Sequence, residues 1–216
     1  MELERWATFD CFGTLVSWQR GFPAILRAIA NDRADELASA YHPFEARIEA
    51  EPYRPYKTVL AEALRLAAES IALPLAHPQI LAQRWDTQPV FDDVAPALHA
   101  LRAAGWRLGV LTNCDRDLFA RTRATLPVDV DLIVTAEDVR AYKPAHEHFK
   151  EFERQTGVAR DRWVHVACSW FHDISPARAL GIKRIWIDRD RTGEDPTAAS
   201  AVLPDLTDLP EVVERV

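Results

Sequence analysis

Short apolar runs alternate with amphipathic stretches along most of the chain. Five runs rich in β-branched and aromatic residues predict buried strands: Trp6 to Phe12, Arg107 to Leu111, Leu132 to Thr135, Trp163 to Ala167 and Arg184 to Ile187. Between them apolar residues recur at helical spacing, as at Val94, Ala97, Leu98 and Leu101. Gly105 and Gly181 each close such a helix just before a strand. Strands alternating with helices predict parallel strands joined by crossover helices, hence a doubly wound α/β core. In such sheets ligands bind beyond the carboxyl ends of the strands, so chemistry is sought there.

The stretch from Trp18 to Trp85 breaks the alternation. It carries helical stripes, Phe22, Ile25, Leu26 and Ile29, then Val59, Leu60, Ala63 and Leu64, but no buried strand. Prolines 43, 52 and 55 are expected to cut it into short helices. The reading is a helical cap over residues 18–87, inserted into a core of 1–17 plus 88–216 that resumes near Pro89-Val90-Phe91. After Asp188, a loop with Gly193 and Pro196 leads to a short final helix.

A chain of 216 residues can fill one core and a smaller appended unit. No apolar run approaches the roughly 20 residues needed to cross a bilayer. The beginning, Met1-Glu2-Leu3-Glu4-Arg5-Trp6, lacks the basic and apolar segments of a signal peptide, which makes the cytoplasm the expected location. A net charge of −7 argues against nucleic acid or an anionic membrane as partner, since both need a basic face. An acidic protein that binds a small anion must concentrate cations locally, so the few lysines (Lys57, Lys143, Lys150, Lys183) are worth following. Cys11, Cys114 and Cys168 fit neither a disulfide framework nor a zinc site, and read as small buried hydrophobes beside candidate site residues.

Four stretches place chemistry at strand ends. Asp10 ends the first strand in Asp10-Cys11-Phe12-Gly13-Thr14-Leu15, where a carboxylate before a glycine turn can attack a bound substrate or simply cap the turn. Thr112 and Asn113 end the second, with Asn113 a candidate cap for a helix from Asp115 to Ala124. Pro144 keeps Lys143 out of helical geometry, in a loop before the next helix. Asp173 follows Cys168-Ser169-Trp170-Phe171-His172, between a strand and a helix that starts near Pro176 with Ser175 as its expected N-cap.

Each signal is weak alone, but their order is specific: Asp-x-x-Gly-Thr-Leu, Thr-Asn, Tyr-Lys-Pro, then Ser-x-x-x-Asp-x-x-x-Ala-x-x-x-Gly. This order resembles the haloacid dehalogenase superfamily over nearly the whole core. The resemblance implies a Rossmann-like core with the Asp10 strand central and the cap closing over the site. The phosphatases of that superfamily carry a second aspartate two positions after the nucleophile and a magnesium carboxylate in the last motif. Here those positions hold Phe12 and Cys168, neither of which suits magnesium. The chain is similar instead to the metal-free 2-haloacid dehalogenase branch, through Phe12, Asp-Val-x-x-Tyr-Lys-Pro and the Trp-Ile-Asp-Arg ending at Arg189.

The branch implies hydrolysis of a small 2-haloacid to a 2-hydroxyacid and halide through an aspartyl ester on Asp10, with no cofactor and no metal. By the same resemblance the catalytic group is Asp10, Thr14, Lys143, Ser169 and Asp173. Lys143 keeps Asp10 ionised, and Asp173 with Ser169 handles the hydrolytic water. Cys11 and Phe12 (through the amides after Asp10), Thr112, Asn113 and Trp170 contact substrate or halide, with Trp18 adding to the apolar wall. The branch's substrate-binding cap arginine falls near Leu37, leaving Arg20 or Arg47 as substitutes, and Trp170 is expected to shrink the pocket toward haloacetates. His172 has no assigned role, and a homodimer is an expectation of family alone. The rival functions are a phosphatase with rebuilt acid and metal sites and a non-catalytic binding module.

Overall fold

The computed structural model describes residues 4–216. Strand β1 (Arg5–Phe9) is followed by helices α1 (Trp18–Ala30), α2 (Ala34–Glu49), α3 (Tyr56–Ser70) and α4 (Ile80–Gln83). Alternation then begins: α5 (Val94–Ala103), β2 (Trp106–Thr112), α6 (Arg116–Arg123), β3 (Leu132–Thr135), α7 (Ala136–Val139) and α8 (Glu147–Thr156). It ends with β4 (Trp163–Ala167), α9 (Ser175–Ala179), β5 (Lys183–Ile187), β6 (Ala201–Leu203) and α10 (Leu209–Val212). All strands pair in parallel, in the order β3-β2-β1-β4-β5-β6. The order reverses between β1 and β4, which opens a crevice beyond their carboxyl ends.

The period-2 rule sorts the sheet's two faces. Ala7, Phe9, Val164 and Val166 join the large core that also holds α5 residues Leu98 and Leu101. Trp6, Leu111 and Trp163 face Phe149 and Phe152 of α8. Gly109 is needed there because a Cβ would stand 2.7 Å from the Phe152 ring and 3.1 Å from Thr8. Thr8 and His165 are buried polar residues on that apolar face, directly beneath the crevice.

Four expectations are corrected. The first strand stops at Phe9, not Phe12, because the Cys11 carbonyl accepts from Leu15 N and Val16 N and turns the chain. A sixth strand, β6, lies in the tail that reads as loop, its three residues being too few to show alternation. Pro43 does not end a helix: α2 runs through it, and α1 likewise contains Pro23. Packing of α2 against α1 and α3 outweighs the lost backbone bond. Pro52 and Pro55 do lie in the break between α2 and α3. Finally, Ser175 is the first residue of α9 and makes no capping bond, so it is not the N-cap.

Leu15–Ser17, leaving the sheet, and Pro89–Phe91, returning to it, run side by side through Ser17 N to Pro89 O (2.8 Å) and Phe91 N to Leu15 O (3.0 Å). The helical layer is also tied to the sheet's far side. Asp115 at the start of α6 accepts from Tyr56 N (2.8 Å) and Lys57 N (2.9 Å), capping α3 from another part of the chain. Among the described residues no helix is long and apolar enough to cross a membrane.

Candidate active site

Lys143 organises the floor of the crevice. Its side chain is 1% exposed, and its Nζ donates to Asp10 Oδ1 (2.8 Å), Asp173 Oδ1 (2.7 Å) and the Leu111 carbonyl (2.9 Å). The loops after β1 and β4 and the end of β2 therefore meet on one ammonium. Burial works against its charge, but the two carboxylates outweigh burial and hold Lys143 above the ordinary lysine range. Asp173 is also buried, and there Lys143 and His165 prevail and hold the carboxyl well below the usual range. For Asp10 burial prevails over Lys143, with the neighbouring Asp173 adding to it, so its pKa is raised.

Thr14 fixes the other oxygen of Asp10. Its hydroxyl donates to Asp10 Oδ2 (3.1 Å) and accepts from Cys168 N (2.9 Å), joining the β1 and β4 loops. The turn between them depends on Gly13, at φ 98°, where a Cβ would lie 2.6 Å from Cys168 Sγ and 3.1 Å from Trp18 Nε1.

Behind Asp173 runs a buried relay that the sequence reading missed. Asp173 Oδ1 lies 2.9 Å from His165 Nε2, and His165 Nδ1 lies 2.9 Å from Thr8 Oγ1. Trp163 Nε1 in turn donates to Thr8 Oγ1 (2.8 Å). The signal was a histidine alternating with Val164 and Val166 on a buried strand, beside a threonine alternating with Ala7 and Phe9.

Asp10, Phe12, Thr112, Asn113, Lys143, Ser169, Trp170 and Asp173 line one cavity of about 480 Å³ between the helical layer and the sheet. Cys11 does not line it: it is fully buried, with its carbonyl engaged in the turn. Thr112 Oγ1 and Asp173 Oδ2 are buried without hydrogen-bond partners. Asn113 caps no helix. Its side chain grips the Lys143 backbone, donating to Lys143 O (3.1 Å) and accepting from Lys143 N (2.7 Å). Asp115 holds the N-cap position of α6 instead, although its carboxylate serves α3. The Ser169 carbonyl accepts from Asp173 N (3.1 Å), but among the described residues its hydroxyl makes no bond to the Asp173 carboxylate. Ser169 caps the wide turn Trp170–Ile174 through His172 N (3.1 Å), and its Oγ lies 2.9 Å from His172 Nδ1.

The cavity wall is aromatic. Phe12 packs on Trp85 (ring centroids 4.9 Å apart), Trp85 on Tyr56 (5.4 Å), and Phe22 on Tyr41 (4.9 Å). Trp170 stands at the rim, half-buried against Trp186 and Ala198, and leaves the cavity far larger than a haloacetate. Neither substitute arginine reaches the cavity: Arg20 and Arg47 are exposed, Arg47 stacks on Phe44, and Leu37 is fully buried in the core. The lining arginine is Arg189, which donates to Asp93 (2.8 Å) and the Thr14 carbonyl (3.0 Å) and stacks on Phe91. Burial pushes all three thiols up, those of Cys11, Cys114 and Cys168. A protonated Cys168 is a poor ligand for a hard cation, and among the described residues no His, Cys, Asp and Glu side chains gather as a metal cluster. The donor set does not fit magnesium.

A family model described as haloacid dehalogenase-like hydrolase matches residues 5–181. The chain belongs to that family. "Haloacid dehalogenase-like hydrolase domain-containing protein 3" of Danio rerio is 31% identical over 56% of this chain and 49% of its own length. "Haloacetate dehalogenase H-2" of Moraxella sp. (strain B) is 28% identical over 55% of this chain and 56% of its own length. The chain thus spans about half the length of these curated relatives, and proteins named as phosphatases match as well. Among solved structures, the L-2-haloacid dehalogenase RSc1362 superposes with a TM-score of 0.88 at 24% identity, covering 98% of this chain and 99% of that one. With dehalogenases and phosphatases both among the named relatives, the branch is left to the residues of the site.

Proposed function

We propose that this family member hydrolyses a carbon–halogen bond of a 2-haloacid, with Asp10 as covalent nucleophile and residues 18–87 as the cap over a core of 1–17 and 88–216. The observation that carries the reading is the floor itself: one carboxylate, aimed by Lys143 and Thr14, under an apolar wall with Phe12 where a phosphatase needs an acid. Halide leaves as an anion and needs no proton, so Phe12 costs this chemistry nothing. Dehalogenases among the named relatives support the same reading.

Asp10 attacks C2 in line, the carbon–halogen bond breaks and halide departs with the bonding pair. An aspartyl ester remains. Water then adds to the ester carbonyl and releases a 2-hydroxyacid of inverted configuration. Thr112 Oγ1, buried and unpartnered, is placed to hold the substrate carboxylate. Asp173 Oδ2, also unpartnered, orients the water. Its lowered pKa makes Asp173 a weak base, and His172, neutral because burial lowers its pKa, is the better proton acceptor on the same wall.

The test is halide release from chloro-, bromo- and fluoroacetate and both 2-chloropropionate enantiomers, in EDTA. Release that survives the chelator and disappears in Asp10→Asn is expected. Turnover of a phosphate ester stimulated by magnesium, with no halide from any acid, would replace this reading by the phosphatase one.

A further inference from the structure

The charge lining the cavity favours a substrate that carries a positive group besides its carboxylate. Lys143 has its three donors engaged, and Arg189 is paired with Asp93. Every other fixed charge on the wall is a carboxylate, including Asp188, Asp190 and Glu194 at the rim. Two more carboxyl groups, Glu45 and Glu49, lie one turn apart on α2 and line the same cavity. Glu45 Oε1 accepts from Tyr41 Oη (3.0 Å) and Tyr56 Oη (2.8 Å), and its Oε2 lies 3.6 Å from His42 Nδ1. Glu49 has no hydrogen-bond partner among the described residues. Burial, with Glu45 beside it, pushes the Glu49 carboxyl up to about 8 although Lys143 opposes the shift. Glu49 therefore stays largely protonated beside Glu45 in the empty site, and a positive ligand between the two would favour its ionised form.

Their surroundings have the same preference. Trp18, Phe22 and Tyr41 form one wall and Phe12, Trp85 and Tyr56 the other, and Glu45 ties the two through its tyrosine bonds. Aromatic faces around a carboxylate pair attract an alkylammonium, whose weak hydration makes transfer from water cheap. The floor keeps its own donor for a carboxylate in the unpartnered Thr112 hydroxyl. A cavity of about 480 Å³ has room for a substrate that reaches both the floor and the two glutamates.

Resting on the dehalogenase reading, we propose that the substrate is a 2-haloacid carrying a distal alkylammonium group, seated between Glu45 and Glu49 within the aromatic walls. The ammonium takes no part in bond breaking. Displacement at C2 and ester hydrolysis turn substrate and water into a hydroxyacid, halide and a proton, and the positive group leaves unchanged.

The test compares bromide release from 2-bromo-4-(trimethylammonio)butanoate and its neutral isostere 2-bromo-5,5-dimethylhexanoate. The charged acid is expected to be favoured about 10-fold or more in kcat/KM. Glu49→Gln and Glu45→Gln should bring the ratio close to one. Should Glu45→Gln unfold because of its tyrosine bonds, Glu49→Gln, whose side chain has no partner, carries the test alone. A second arm measures tetramethylammonium binding to Asp10→Asn by calorimetry, with and without Glu49→Gln. A ratio of one or less in the wild type, or a preference that both variants leave intact, overturns the proposal while bromide release keeps the dehalogenase reading. Tetramethylammonium binding that Glu49→Gln abolishes, with no bromide from either acid, upholds the cation site and overturns the dehalogenase reading.

Discussion

The ammonium of Lys143 spends all three of its protons inside the protein, so it holds Asp10, the proposed nucleophile, and has no donor left for a substrate. Lys143→Met leaves two buried carboxylates facing each other. Chemical denaturation should show a loss of roughly 3–5 kcal/mol together with loss of halide release. Asp10 must be ionised to attack, and its pKa is raised, so activity is present above that value and falls as pH drops through it. The acid limb of kcat/KM should therefore lie above the ordinary carboxylate range, and a limb near pH 4 would contradict the burial argument. His148 shows the opposite sign in stability. Burial lowers its pKa to about 3, and its Nε2 lies 3.1 Å from the Thr112 carbonyl. The unfolded chain takes up this proton below about 6.5 and the folded chain does not, so His148 costs about 1.4 kcal/mol of stability per pH unit between those values. Urea midpoints of wild type and His148→Gln should converge as pH falls over that window.

At the scale of elements, Asp115 ties the first turn of α3 to the start of α6. Asp115→Ala removes a helix cap worth about 0.5–2 kcal/mol and should raise KM more than it lowers kcat, because it loosens the wall and leaves the floor untouched. An unchanged KM would separate the cap's position from this bond. Periodicity made α1, α3, α5 and strands β1 to β5 legible, since one buried stripe suffices to reveal each. It could not show that Pro43 sits within α2, because the cost of a proline is judged against packing partners the sequence does not name. Nor could it separate the roles of Asn113, Ser169 and Asp115. All three are capping types, and which backbone each serves was decided by the fold: Asn113 serves Lys143, Asp115 a helix far away in sequence.

Across the whole molecule, the order of motifs placed the floor because each motif ends a strand of one parallel sheet, and a parallel sheet gathers its carboxyl ends. Asp10, Lys143 and Asp173 were weak signals one by one, and the resemblance carried by their order singled them out. Glu45 and Glu49 were not legible in this way, since they lie on a helix whose facing depends on its packing against α1 and α3. His165 stayed hidden for a similar reason: a buried histidine gains meaning only from the partner at its far nitrogen. A further consequence concerns the thiols. A 2-haloacid is an alkylating agent, and a thiolate would be consumed by the substrate proposed above. Cys11, Cys114 and Cys168 all neighbour the floor, and burial keeps each protonated. Mass spectra after prolonged exposure to bromoacetate should show three carboxymethyl groups on urea-unfolded protein and none on the native fold. The packing that shapes the cavity would then also be what lets the protein survive its own substrate.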